Sequence, residues 1–281
     1  MKVAVLGSKG LLGSDLLAAC VHREFETYGF DLPEMDITRM DSVRESLPQV
    51  DWVINCAGYT SVDAAESDRD EAFRVNADGA HVVARVCNRR RIRLLHISSD
   101  YVFDGNKSRP YNEKDSANPL SVYGTSKLAG EKAVRSEGLH FLVVRTQALF
   151  GVSGPSFVRR VVDHVRSSDA PFRAIRDQII SPTYTKDLSE ALITLMRLNQ
   201  SGVVHVAASG ECSWYELAVA VAERIKPGAA IKAIASAEAQ QAAPRPSYSA
   251  LDTRLYHSWT QQAMRSWQEG LDAYLADTGA V

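Results

Sequence analysis

Short apolar segments alternate with longer helix-like segments in the first half of this chain, and this alternation restricts the possible folds more than any other feature. Two of the helix-like segments span residues 11–21 and about 65–90. Alternating strands and helices favour a parallel sheet covered by helices on both faces. Right-handed crossovers then predict an α/β fold with a doubly wound sheet of the Rossmann type. Five apolar runs have the length and composition of buried strands, namely residues 3–6, 25–30, 52–57, 92–97 and 141–144.

Three glycines connect the first apolar run to the first helical segment. Gly7, Gly10 and Gly13 form a G-x-x-G-x-x-G pattern in this strand-to-helix context. Glycine permits a tight turn and a close approach of the backbone to a pyrophosphate, which the N–H groups at a helix N-terminus can bind. Leu11 and Leu12 supply such groups. The pattern predicts a dinucleotide site.

The rhythm of strands and helices loosens after residue 151. Residues 187–199 and 214–225 have helical patterns, with a strand-like segment at 203–206 between them. Residues 235–249 are rich in Ala, Gln and Pro and predict a long loop. We therefore predict a dinucleotide-binding domain at residues 1–146 with a return segment at about 184–207, and a smaller substrate-binding lobe at residues 147–183 and 208–281.

Acidic and apolar residues after the second run suit the adenosine half of a dinucleotide. Asp31 ends that run, and a carboxylate there can bond the ribose hydroxyls. The alternative is a turn residue before Pro33. Asp36 and Ile37 are predicted to lie along the adenine. No Lys or Arg directly follows Asp31, which favours NADH, although Arg39 is close enough to leave NADPH open.

Tyr123 and Lys127 are four residues apart and share one face of a predicted helix. A phenol has an ordinary pKa of about 10, and a nearby ammonium is expected to lower it. Tyr123 is therefore the candidate catalytic acid, and Lys127 is also a candidate for the nicotinamide ribose. Ser99, just after the fourth apolar run, can bond the substrate oxygen. Because Tyr-x-x-x-Lys pairs are common on helices, the prediction depends on all these motifs together.

Composition and charge exclude several classes of partner. The formal net charge is -2, and the basic residues are scattered, so no nucleic-acid partner is predicted. No signal-peptide pattern and no apolar run of about 18 residues is present, so we predict a cytoplasmic protein without a membrane partner. The four cysteines lack metal-type spacing and are predicted to be buried free thiols.

Together, these motifs resemble the extended short-chain dehydrogenase/reductase superfamily and, within it, the dTDP-4-dehydrorhamnose reductase family. The resemblance implies reduction of the C4 ketone of a 4-keto-6-deoxy sugar nucleotide by NADH or NADPH. It further implies that Tyr123 is the acid, tuned by Ser99, and that Lys127 contacts the cofactor. The matching stretches extend over almost the whole chain, at residues 7–13, 53–60, 62–63, 65–66, 96–105, 123–131, 145–146, 177–178, 182–183, 245–246, 249 and 251.

The resemblance also implies individual ligand contacts. Gly58, Tyr59 and Thr60 are implied to contact the cofactor, and Ser99 and Asp100 the substrate. Related dehydratases have Asp-Glu after the serine or threonine, and those carboxylates eliminate water. Here Tyr101 follows Asp100, so the general base for dehydration is missing and net reduction is favoured.

Two positions depart from the family pattern near the implied substrate pocket. Ala148 replaces a tryptophan, and Tyr248 replaces an asparagine. Losing a large ring enlarges the pocket and removes contact area, so the sugar or its base is left open. Arg245 is a candidate for the substrate diphosphate.

Two rival functions stay open at this point. One is another epimerase or reductase of the same superfamily, and the other is a non-catalytic nucleotide-binding regulatory subunit. The resemblance suggests a homodimer, with a magnesium ion between subunits in some members. Because no acidic cluster in the C-terminal lobe supports magnesium here, no metal ligand is predicted.

Overall fold

The computed structural model describes residues 1–138 and 140–280. Its strands, in chain order, are β1 (Lys2–Leu6), β2 (Glu26–Phe30), β3 (Trp52–Asn55), β4 (Arg93–Ser99), β5 (Phe141–Thr146), β6 (Leu149–Phe150), β7 (Phe172–Ile175), β8 (Ile179–Ile180), β9 (Thr183–Tyr184), β10 (Gly202–His205), β11 (Cys212–Ser213) and β12 (Ile231–Ile234). The α-helices are α1 (Leu11–His22), α2 (Met40–Ser46), α3 (Ala64–Ser67), α4 (Arg69–Phe73), α5 (Ala80–Arg90), α6 (Val122–Ser136), α7 (Phe157–Ser167), α8 (Thr185–Leu198), α9 (Trp214–Ile225), α10 (Arg254–Thr260) and α11 (Trp267–Asp277).

A six-stranded sheet forms the centre of the molecule, in the order β10-β5-β4-β3-β1-β2. Every neighbouring pair in it is parallel. The order proceeds in opposite directions from β1, because β2 lies on one side and β3, β4 and β5 follow on the other. The predicted doubly wound Rossmann-type sheet is confirmed.

Both faces of this sheet are buried, which explains why its strands are continuous apolar runs rather than alternating ones. Side chains alternate between faces along a strand. Val3 and Val5 of β1 pack with α1 and α8, whereas Ala4 and Leu6 pack with α2 and α5. Two separate cores therefore hold the sheet between helical layers.

A third core joins α7, α9 and α11 to short strands beyond the sheet. Val158, Val161, Val162 and Val165 of α7 are buried there, at helical spacing. The sequence analysis did not identify α7. The i, i+3, i+4, i+7 pattern was present, but valine-rich segments also favour strands, and only the period separates the two.

The long helix predicted at about residues 65–90 is interrupted. Asp68 leaves helical geometry between α3 and α4, with φ -117° and ψ 49°. Arg74–Gly79 then forms a π-helical turn before α5 begins. Such turns are rare and are frequent at functional sites, and here the turn carries Asn76 next to α6.

The C-terminal segment returns to the central sheet before it reaches the lobe. Tyr256 of α10 and Met264 are buried in the core shared with β1, α1 and α8. Trp267 and Leu271 of α11 lie in the third core. The predicted division of the chain into a nucleotide domain and a substrate lobe stays a prediction.

Candidate active site

The glycine loop is folded so closely that side chains are excluded from two of its positions. Gly7 has φ +75°, and a Cβ there would lie 2.7 Å from the Ala57 backbone nitrogen. A Cβ on Gly13 would lie 2.0 Å from the Gly7 carbonyl oxygen. Gly10 is the N-cap of α1 and provides no side-chain cap. The first N–H groups of α1, beginning at Leu11, are therefore not satisfied by a capping side chain, which suits an anionic ligand.

Asp31 lies beside this loop and contacts it directly. Its Oδ2 accepts the Lys9 backbone N–H at 2.9 Å, and its Oδ1 accepts the Leu32 N–H at 3.0 Å. The Lys9 side chain reaches Glu34 at 3.3 Å. The structure thus places an exposed cation near the predicted ribose site. Sequence reasoning missed Lys9 because it searched only the residues that follow Asp31.

Asp36 and Ile37 lie in the loop between β2 and α2. Asp36 Oδ1 accepts the Thr38 backbone N–H at 2.9 Å and the Thr38 hydroxyl at 2.7 Å. Ile37 is buried against Gly79, where an added Cβ would lie 2.9 Å from the isoleucine Cδ1. Both residues shape the loop after β2, and their contact with an adenine stays a prediction.

Asn76 holds the loop that contains Gly58, Tyr59 and Thr60. Its Oδ1 accepts the Tyr59 N–H at 2.9 Å, and its Nδ2 donates to the Tyr59 carbonyl at 3.0 Å. A Cβ on Gly58 would lie 3.8 Å from Lys127 Nζ. The fold therefore brings this loop, predicted to contact the cofactor, next to the predicted catalytic lysine.

Tyr123 is in the first turn of α6, and packing fixes where that helix begins. The Ser121 hydroxyl caps it by accepting the Gly124 N–H at 3.1 Å. A Cβ on Gly124 would lie 2.1 Å from the Tyr101 carbonyl oxygen, so only glycine permits this approach. The Tyr101 and Tyr123 rings meet edge to face, with centroids 5.8 Å apart. The phenol is thus held beside the end of β4.

Lys127 is buried one turn further along α6. Its Nζ donates to the Ile97 carbonyl oxygen at 2.7 Å. Burial lowers the pKa of Lys127 to about 8, while the nearby Glu131 carboxylate raises it. The ammonium form still predominates at neutral pH, and it lies at the carboxyl end of the sheet.

The pKa of Tyr123 differs from the sequence-based expectation. Burial raises it to about 12, the Ser99 hydroxyl lowers it, and the Asp100 charge raises it further. We expected Lys127 to lower this pKa. In the structure, the lysine bonds the Ile97 carbonyl, and the loss of solvation dominates. The phenol therefore keeps its proton at neutral pH, as an acid must.

Ser99 and Asp100 form a buried pair at the end of β4. Ser99 Oγ donates to Asp100 Oδ1 at 2.9 Å and accepts the Tyr101 N–H at 3.1 Å. Burial raises the pKa of Asp100 to about 6, against the lowering effects of Ser249 and Ser99. The predicted catalytic residues Ser99, Tyr123 and Lys127 are thus brought together at one edge of the sheet.

The predicted diphosphate ligand, Arg245, has a partner within the chain. It makes a bidentate pair with Asp63, at 2.9 Å and 2.7 Å. Burial lowers the pKa of Arg245, but the bond to Asp63 and the interaction with Tyr101 outweigh burial and raise that pKa above its ordinary value. The pair holds the pKa of Asp63 at about 2. Sequence reasoning gave Asp63 no role, because the two residues are 182 positions apart.

The two departures from the family pattern lie on segments that follow the sheet. Ala148 is half-buried between β5 and β6 at φ +45°, a conformation that non-glycine residues rarely adopt. Its carbonyl accepts the Thr183 N–H at 3.3 Å. The Tyr248 hydroxyl donates to Glu211. The substrate roles of Ala148 and Tyr248 stay predictions.

Within residues 1–138 and 140–280, no group of three or more His, Cys, Asp or Glu side chains could hold a metal ion. None of the helices found there combines the length and the apolar character needed to span a membrane.

Comparison with known proteins gives consistent matches over the full length. Residues 1–279 match the RmlD substrate binding domain family. The chain is 37% identical to the spore coat polysaccharide biosynthesis protein SpsK of Bacillus subtilis, over 100% of this chain and 99% of that protein. It is also 37% identical to a dTDP-4-dehydrorhamnose reductase of Mycobacterium tuberculosis, over 98% and 92% of the two chains. The crystal structure of a dTDP-4-dehydrorhamnose reductase from Bacillus anthracis in complex with NADP superposes with a TM-score of 0.95, at 33% identity over 99% of both chains.

Proposed function

Because this chain belongs to the dTDP-4-dehydrorhamnose reductase family, we propose that it reduces the C4 ketone of a 4-keto-6-deoxy sugar nucleotide with NADH or NADPH. The observation that carries the proposal is the meeting of Tyr123, Lys127 and Ser99 beside the loop at Gly58. The glycine cradle fits a dinucleotide, since a Cβ on Gly13 would collide with the loop.

Each side chain then has a defined task. A reduced nicotinamide bound in this cradle supplies the hydride for C4. Tyr123 holds a proton at neutral pH and can give it to the C4 oxygen, because burial keeps its pKa high. Lys127 provides a positive charge beside the Gly58 loop for the nicotinamide ribose.

The position after Asp100 separates reduction from dehydration. In this chain it is Tyr101, whose ring packs against Tyr123 and whose hydroxyl interacts with Arg245. Burial raises the pKa of Tyr101, so it cannot act as the base that an elimination of water requires at neutral pH. The site is therefore suited to proton donation.

The function can be tested by following loss of reduced-nicotinamide absorbance with dTDP-4-dehydrorhamnose prepared in situ. NADH and NADPH are compared, and the alcohol product is identified by its stereochemistry. Oxidation of either cofactor that depends on the sugar supports the proposal. Tight cofactor binding without oxidation on a panel of 4-keto sugar nucleotides would overturn it and favour a regulatory role.

Replacing Gly13 by alanine is expected to weaken cofactor binding by more than about tenfold, because the new methyl group collides with the Gly7 carbonyl. We also expect a loss of stability of about 1–3 kcal/mol from this overpacking. Cofactor titration by fluorescence and urea unfolding measure the two effects. Ser14→Ala on the same helix is the control, and equal affinities of the two variants would argue against the cradle.

Cofactor affinity is expected to fall as pH rises above about 8. Burial lowers the pKa of Lys127 from 10.5 to that value, so the side chain is charged below it and neutral above it. Calorimetric titrations across this range should show the inflection in the wild type. Lys127→Met should bind the cofactor more weakly and show no inflection. The same inflection in both proteins would assign the titration to another group.

Asp63 and a substrate diphosphate are expected to compete for Arg245. Arg245→Lys should raise KM for the nucleotide sugar by about tenfold, because lysine cannot make the bidentate contact. Asp63→Asn keeps Arg245 but removes the competing charge, so it should lower KM below the wild-type value. Steady-state kinetics with saturating cofactor decide this, and unchanged KM in both variants would remove Arg245 from the substrate site.

A further inference from the structure

Asp100 is a buried carboxylate in direct contact with the catalytic machinery. It begins the short 3-10 turn after β4 and is 3% exposed. Ser99 Oγ donates to its Oδ1 at 2.9 Å, and the charge on Asp100 raises the pKa of Tyr123. The carboxylate therefore acts on the phenol by two routes, through the serine hydroxyl and through space.

The single proton of Ser99 is already used in this arrangement. A hydroxyl has one donor and two acceptor lone pairs. Ser99 donates to Asp100 and accepts the Tyr101 N–H at 3.1 Å. Ser99 also interacts with Tyr123, and only one of its lone pairs is left for that contact, so the phenol is the donor toward Ser99 in this arrangement. The lowering effect of Ser99 on the Tyr123 pKa requires the Ser99 proton, so it is lost while that proton is bonded to an ionised Asp100.

Protonation of Asp100 would reverse the direction of the hydrogen bond between Ser99 and Tyr123. A neutral Asp100 can donate to Ser99, and the Ser99 proton is then free to turn toward the oxygen of Tyr123. The Ser249 hydroxyl contacts Asp100 and lowers the pKa of this carboxyl. The titratable groups that interact with Asp100 are Tyr101 and Tyr123, and Arg245 interacts in turn with Tyr101. Burial brings the pKa of Asp100 to about 6, so both forms are accessible near neutrality.

We propose that Asp100 is a positioning residue that acts through Ser99, and that its protonation decides whether Ser99 donates to the oxygen of Tyr123. This inference rests on the proposed reductase function. As Tyr123 gives its proton to the C4 oxygen, the Ser99 proton passes to Tyr123 and the Asp100 proton passes to Ser99. Three O–H bonds form and three break, and Asp100 loses the one proton that the new alcohol gains.

The hydrogen-bond route can be tested without turnover. Tyrosine labelled with 13C at Cζ reports the environment of the Tyr123 hydroxyl, and Tyr123→Phe assigns the signal. We expect the signal to titrate with an inflection near the Asp100 pKa of about 6 in the wild type. The inflection should disappear in Asp100→Asn, shrink to its through-space part in Ser99→Ala, and persist at full size in Ser99→Thr, which keeps the hydroxyl. Asp15→Asn is the matched control, since Asp15 is another buried carboxylate whose pKa is raised by burial.

An inflection of undiminished size in Ser99→Ala would overturn the route through Ser99, because Tyr123 would then sense the charge of Asp100 through space alone. No inflection in the wild type would also overturn it. These outcomes are independent of substrate, so they are distinct from a failure of the proposed reductase function.

Single-turnover kinetics supply the functional readout. With Asp100 neutral, Tyr123 is the stronger acid, so the hydride-transfer rate of the wild type should fall by about threefold or more as pH rises through 6. Asp100→Asn should show no such fall and Ser99→Ala a smaller one, whatever their absolute rates, whereas Asp15→Asn should retain it in full. The same fall in Asp100→Asn would contradict the proposal.

Discussion

Replacement of Tyr123 by phenylalanine is expected to lower kcat for sugar-nucleotide reduction by about a thousandfold, the usual contribution of a general acid. The variant keeps the ring that packs edge to face with Tyr101, at 5.8 Å between centroids, and loses only the hydroxyl. Its fold should therefore be unchanged. Stopped-flow measurement of nicotinamide oxidation with saturating sugar nucleotide gives the rate of the chemical step.

A matched control separates the loss of the acid from the loss of any tyrosine hydroxyl. Tyr215→Phe removes a hydroxyl from α9, a helix that packs in the third core with α7 and β7. It should leave kcat unchanged. A Tyr123→Phe enzyme that retains more than about a tenth of wild-type kcat would show that another group or water protonates the C4 oxygen.

Replacement of Arg145 by methionine is expected to destabilise the protein by about 3–5 kcal/mol. Arg145 Nε and Nη2 donate to Glu131 at 2.8 Å and 2.7 Å, and the two side chains are 5% and 1% exposed. Removing the guanidinium would leave the Glu131 carboxylate buried with only the Ser98 hydroxyl, at 2.5 Å, as a strong partner. Urea unfolding of the purified variant measures the loss.

Two controls test whether this effect comes from an uncompensated buried charge. The double variant Arg145→Met with Glu131→Leu removes both charges and should recover most of the lost stability. Arg159→Met breaks the exposed pair with Asp163 and should change stability by less than about 1 kcal/mol. A single-variant loss as small as that of Arg159→Met would contradict the argument.

The ion pair also connects the stability of the core to the active site. Glu131 is one turn after Lys127 on α6, and its charge raises the lysine pKa against the effect of burial. The pair is therefore placed where a change in the core alters the pKa of Lys127, a candidate catalytic residue. The sequence analysis matched both residues to family motifs but could not pair them, because Arg145 is on β5 and Glu131 is on α6.

Sequence patterns correctly predicted those elements whose conformation depends on residues close together in the chain. An apolar run buried on both faces specifies a central parallel strand, and the glycines before α1 permit a turn that other residues cannot adopt. The four-residue spacing places Tyr123 and Lys127 on one face of α6 wherever that helix packs. Segments governed by packing were missed or altered, as α7 and the interrupted helix before α5 show.

The amino-acid sequence alone predicted the sheet, the dinucleotide loop and the candidate catalytic side chains, because the first two follow from periodicity and short-range backbone constraints and the third from spacing and family resemblance. Only the tertiary structure decided what these side chains face. It paired Asp63 with Arg245 across 182 residues, and it raised the pKa of Tyr123 where spacing to Lys127 had suggested a lower one. Both results depend on burial and on contacts between distant segments, and solvation in a folded site has no counterpart in the spacing of residues along a chain.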